Sequence, residues 1–143
     1  MTVAAILNEK GREVITERGG ALLLQVCQTL GTNKIGAMVI VDAKGHIEGI
    51  ISERDIVKAI GREGPDALNQ PVSQIMTKSV VTCTEEETVN QVMQKMSSGR
   101  FRHVPVVKDK KLNGLISIGD VVKHRIAQVE MEAEHMRTYI AMT

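Results

Sequence analysis

Apolar positions along the chain fall into stripes at helical spacing and short unbroken runs, separated by glycines and polar turns. The first residues, through Ile6 and Leu7, form an apolar turn or short helix that Gly11 releases into an extended Val14-Ile15-Thr16 segment. After Gly19 and Gly20, Leu22 or Leu23, Val26 and Leu30 share one side of a helix, with Gly31 as its C-cap. Residues 37–41 read as a buried strand and 42–45 as a hairpin turn; 46–51 return as a second strand. A helix over 52–60 follows, ended by Gly61. The breaker-rich stretch 61–71 carries Gly61, Gly64, Pro65, Asn69 and Pro71, and 71–76 form a short helical turn.

The same succession then returns. Gly49-Ile50-Ile51-Ser52-Glu53-Arg54-Asp55 is echoed by Gly114-Leu115-Ile116-Ser117-Ile118-Gly119-Asp120, with both the leading glycines and the closing aspartates 65 residues apart. Val80-Val81-Thr82 stands 66 residues after Val14-Ile15-Thr16, and Gln91-Val92 stands 66 after Gln25-Val26. The second helix is expected over 86–96, with Glu85, Glu86 and Glu87 at the positive end of its dipole. A repeat of this size implies two copies of one unit. Each copy reads strand, helix, strand, strand, helix: an α/β (α+β) fold with pseudo-two-fold symmetry, each copy a small sheet packed against two helices. The strands flanking each first helix are expected to pair in parallel, and the two halves to share a core. The division is 8–62, a link at 63–71, 72–126, and a helical extension over 127–143. That last helix mixes Val121, Val122, Ile126, Val129, Met136 and Ile140 with Glu130, Glu132, Glu134 and Arg137. It is read as packing on a partner subunit or across its own N-terminus, or else as a peripheral helix frayed at 141–143.

A serine three residues before an aspartate, ahead of an apolar run, is a helix-capping pattern. The same pair can also serve a ligand, and the two readings stand side by side.

Composition narrows the function. A net charge of +1 offers no strong field for nucleic acid or acidic membranes. Phe101 and Tyr139 with no tryptophan leave no stacking platform for single strands. Cys27 and Cys83, placed in helix-like stretches, are read as reduced, buried small hydrophobes, and no metal-ligand spacing accompanies them. Without a secretory signal or a membrane-length apolar run, the expected location is cytoplasmic.

Two Gly-to-Asp runs in register, with Phe101-Arg102-His103-Val104-Pro105-Val106 ahead of the second hairpin, resemble a tandem CBS-domain pair, or Bateman module, of the stand-alone bacterial type. The resemblance covers about residues 8 to 126. It implies a regulatory sensor that holds an adenine nucleotide or adenosyl compound (AMP, ADP, ATP, NADH or S-adenosylmethionine) between the copies and transmits occupancy to a partner protein. By resemblance Asp120 accepts from ribose hydroxyls, with Ser117 at the ribose or phosphate. Val14, Ile15, Thr16, Met38 and Val39 lie against the base, and Arg102, assisted by Arg100 or His103, takes phosphate. These residues form the expected main cleft. The weaker second cleft uses Ser52, Asp55, Val80, Val81 and Thr82, with Lys34 and Arg54 as its cations. The first copy departs from the pattern, carrying Lys34, Gly36 and Ala37 where the second has Arg100, Arg102 and His103. The chemistry is sound on general grounds: a carboxylate accepts from both vicinal hydroxyls, an arginine fork matches phosphate, and a helix N-terminus offers N–H groups to an anion. The resemblance also implies a homodimer with four copies in a flat disc.

No His–Ser–Asp or Cys–His spacing, paired carboxylate, GxGxxG or GxxxxGK pattern marks catalysis, so no intrinsic enzyme activity and no catalytic cofactor is expected. His46, His103, His124 and His135 are scattered. The competing readings are a structural or protein-interaction module with vestigial clefts, and a subunit acting in trans for a lost catalytic partner.

Overall fold

The computed structural model describes residues 1–142. Its elements are α1 (Val3–Lys10), β1 (Thr16–Glu17), α2 (Leu23–Asn33), β2 (Ala37–Val41), β3 (Ile47–Ser52) and α3 (Glu53–Glu63), then two short 3₁₀ turns (Pro65–Asn69 and Val72–Gln74). The second half holds α4 (Val89–Gly99), β4 (His103–Lys108), β5 (Lys111–Ser117) and α5 (Ile118–Met142). In the first half β1 runs parallel to β2, with Thr16 opposite Val39, and β2 pairs antiparallel with β3. In the second half β4 and β5 are antiparallel, and the leading strand shrinks to a parallel bridge between Cys83 and Val106. Mixed sheets backed by helices, in two copies, match the expected α/β architecture.

Several boundaries differ from the sequence expectation. Gly31 and Gly61 lie inside α2 and α3 rather than ending them. Those helices close instead at Lys34, in the left-handed conformation (φ 55°), and at Gly64 (φ 76°). A helical glycine costs only about 1 kcal/mol, and packing overrides it. Helix α4 starts at Val89, capped by Thr88, so Glu85, Glu86 and Glu87 precede it. Glu85 instead meets Arg12 and Asn113, while Glu87 accepts from Lys95 at 2.6 Å. Cys83 sits in the bridging strand, not a helix; it is buried, and burial pushes its thiol up to about 12. Of the residues expected to fray, Thr143 lies outside those described.

The halves do not share one core. Leu23, Val26, Leu30, Met38, Ile40, Ile51 and Ile56 cluster in the first half, joined by Ala67 and Val72 from the link. The second cluster holds Val89, Val92, Met96, Val104, Val106, Ile116 and Val121, together with Val3, Ile6 and Leu7 of α1. The chain's first helix therefore completes the second copy, and the link completes the first. The two repeat glycines make this exchange possible. A Cβ on Gly114 would stand 2.8 Å from Leu7 Cδ1; one on Gly49 would stand 2.9 Å from the Thr77 carbonyl oxygen and collide with Met76. No helix among the described residues is long and apolar enough to cross a membrane.

Candidate functional site

Both Ser–Asp pairs form capping boxes. Ser52 N–H donates to Asp55 Oδ2 at 2.9 Å and Ser52 Oγ–H to the same oxygen at 3.0 Å, while Asp55 N–H donates back to Ser52 Oγ at 3.3 Å. At Ser117 and Asp120 the three distances are 2.9, 3.0 and 3.2 Å. The capping reading is realised, and it is compatible with the ligand reading. The cap uses Oδ2 of each aspartate and holds the carboxylate in one rotamer at a helix N-terminus.

Around Asp55 the halves enclose a cavity of about 570 Å³. The first copy supplies Gly36, Ala37, Ile50 and the turn from Ser52 to Asp55, with Lys58 one helical turn on. The second supplies Ser79, Val80 and Val81 of the extended segment, and the strip from Gly99 to His103. This volume falls within the range of small-ligand pockets. Arg54, Lys58, Arg100 and Arg102 face it against Glu53 and Asp55, so the lining favours an anion. Arg100 takes the left-handed C-cap position of α4 (φ 58°), matching Lys34 of α2, which turns the chain into the cleft.

The sequence grouping is redistributed accordingly. Arg100, Arg102 and His103, expected at the Asp120 cleft, line the Asp55 cavity with Ser52, Arg54, Val80 and Val81. The reason is that the strip before β4 reaches across to the first copy. His103 pairs with Ser117 in the sheet while lying within the fields of both Asp120 and Glu53. Burial, then the Lys10 ammonium, lowers its pKa against the pull of those acids, so the imidazole is neutral at pH 7. Lys34 is exposed at the end of α2 and does not line the cavity. Thr82 faces a neighbouring shallow cavity of about 450 Å³ with His46, Lys78 and Lys110. Side chains alternate along this extended segment, so Thr82 points away from Val81. Met38 and Val39 have no exposed surface, and Met38 belongs to the first core, so neither offers a side chain to a ligand. Thr16 and Ile15 are exposed and Val14 is half-buried.

The Asp120 turn carries a feature that the repeat does not announce. Lys10, at the end of α1, places its ammonium 2.7 Å from Asp120 Oδ2 and 2.9 Å from the Leu115 carbonyl oxygen. Burial alone would raise the Asp120 carboxyl; the Lys10 ammonium and the Ser117 N–H outweigh it and hold the pKa below the usual carboxylate range. In the first half, Ile50 exchanges backbone hydrogen bonds of 2.9 Å with Thr77, and Ser79 faces the Asp55 cavity. No spacing signal could have found Lys10, because its partner is 110 residues away.

Two interlocked α/β copies, one of whose capped aspartates, Asp55, opens onto a cavity at their seam, define a tandem two-domain module. The family model for the CBS domain matches residues 6–62 and 72–127, and the chain belongs to that family. Among solved structures, the CBS-domain containing protein ATU1752 from Agrobacterium tumefaciens is 48% identical, with a TM-score of 0.84 over 87% of this chain and 92% of that one. The CBS domain pair of protein MJ0100, in complex with 5′-methylthioadenosine and S-adenosyl-L-methionine, is 29% identical, with a TM-score of 0.80 over 90% and 98%. The mitochondrial CBS domain-containing protein CBSX3 of Arabidopsis thaliana is 35% identical over 79% of this chain and 57% of its own length. The chain spans between 22% and 66% of the length of such curated relatives.

Proposed function

We propose that the chain is a regulatory rather than catalytic module. It binds an adenosine-containing ligand with a phosphate or other anionic group between its two copies, and occupancy changes its contact with a partner protein. The observation that carries this reading is the Asp55 cavity, where a rotamer-fixed carboxylate, aliphatic walls from Ile50, Val80 and Val81, and four Lys or Arg side chains converge. Asp55 accepts from the ribose, the valines and isoleucine sandwich the base, and Arg102 with Arg100 takes the phosphate. The MJ0100 pair, which holds adenosyl compounds, supports the ligand class. We assign the Asp55 cavity as the stronger site, because Lys10 already engages the Asp120 carboxylate. The active form is a homodimer.

Thermal unfolding with AMP, ADP, ATP, NADH, S-adenosylmethionine and adenosine tests the assignment. Saturating upward shifts are expected, lost in Asp55→Asn and largely retained in Asp120→Asn. Arg102→Ala should weaken AMP about ten-fold or more while leaving adenosine nearly unchanged. A flat response to the whole set overturns the sensor reading. Loss in Asp120→Asn alone returns the main site to the other cleft.

A further inference from the structure

Helix α5 has two opposite faces with different fates. Asp120, Val121, His124 and Gln128 are its less exposed positions up to residue 130, and Val121 enters the second core. The other side carries Val122, Ile126 and Val129, which are 48%, 54% and 49% exposed, and Met136, 59% exposed. With the half-buried Ala133 between them, these residues step 4, 3, 4 and 3 along the chain. That is the alternation of a and d positions in a heptad, with Ile126 and Ala133 at a and Val122, Val129 and Met136 at d. On the same frame Arg125 and Glu132 fall at g, and Glu130 and Arg137 at e. All four are exposed.

These charges select the occupant. In a parallel pair of helices each g residue meets the e residue five positions on in its partner. Here that sets Arg125 against Glu130 and Glu132 against Arg137, opposite charges in both cases. Within one helix, Glu130 and Glu134 are like charges one turn apart, which disfavours the helix alone. A helical stretch of this length without tertiary support is also marginal in water.

We propose that α5 forms a parallel, in-register two-stranded coiled coil with α5 of a second copy of this chain, along the Val122–Ile126–Val129–Ala133–Met136 seam. It rests on the homodimer named above and adds its orientation and register. The two copies then project their paired halves from the same end of a common stalk.

Disulfide trapping in the full chain, in a Cys27→Ser background, reads the geometry directly. Buried Cys83 stays silent. Val129→Cys, at a d position, should crosslink nearly completely to a second copy under mild oxidation, and Thr138→Cys, on the outer face, should not. Sedimentation should show Arg125→Glu weakening the dimer about ten-fold, with Glu130→Arg added in the same chain restoring it. Ile126→Asp should dissociate it while the protomer's ligand-induced thermal shift persists. A dimer that fails to crosslink through Val129→Cys overturns the coiled coil and leaves the dimer standing. A monomer of 15.7 kDa at micromolar concentration overturns both, and neither result touches the ligand assignment.

Discussion

Lys10 shows how one side chain distinguishes two copies of the same turn. The Ser–Asp capping geometry repeats within about 0.1 Å, yet only Asp120 has an ammonium against it among the described residues. Asp120 titrates below its ordinary range, so the pair adds stability above the unfolded-state pKa, and that contribution is lost as pH falls through the native pKa. Lys10 is partly exposed, so the pair is worth about 0.5 kcal/mol. Lys10→Ala should therefore lower the urea midpoint at pH 7, and the gap from the parent should narrow as pH falls below the usual carboxylate range. A gap unchanged by that fall would show that Lys10 acts through packing alone. The motif residues themselves were legible from their register. The glycines that open them were legible as positions but not as reasons, since the side chains they admit, Leu7 and Met76, come from segments outside the motif.

At the scale of elements, the order and type of every major helix and strand could be read from apolar spacing, while the helix ends could not. Both first helices of the copies end on a basic residue in the left-handed region, Lys34 at φ 55° and Arg100 at φ 58°, past glycines that stay helical. Glycine signals freedom to leave the helix, but the exit falls where the strand register needs it. A non-glycine residue in that conformation costs about 1 kcal/mol. Lys34→Gly should accordingly raise stability by about 0.5–1 kcal/mol, read as a higher urea midpoint without a change of slope. Arg100 occupies the same conformation at the cavity rim, where its guanidinium serves the proposed phosphate contact. The strip leading into β4 lines the Asp55 cavity, where the sequence expectation places it at the Asp120 turn, for a related reason. Periodicity tells which face of a strand is buried but not which half of the molecule lies across from its entry.

For the molecule as a whole, the duplication was plain in sequence and the exchange of segments was not. Hydrophobicity in α1 marks Val3, Ile6 and Leu7 as buried without naming the sheet that buries them. Because α1 precedes the first copy but seals the second, Leu7→Ala should cost about 3 kcal/mol and expose the second core. Hydrogen exchange is expected to report the loss of protection first in α4 and β4, far along the chain from the change; faster exchange confined to α2 and β2 would refute the assignment of α1. Of the stretches that carry the chain from one core to the other, 11–16 and 77–82, the second also lines the cavities between the halves. A guest held by Val80 and Val81 grips the strap by which one lobe is fastened to its twin. On the proposed sensor reading, occupancy stiffens a joint rather than a single body, and a protein resting across both lobes would feel that stiffness without touching the guest.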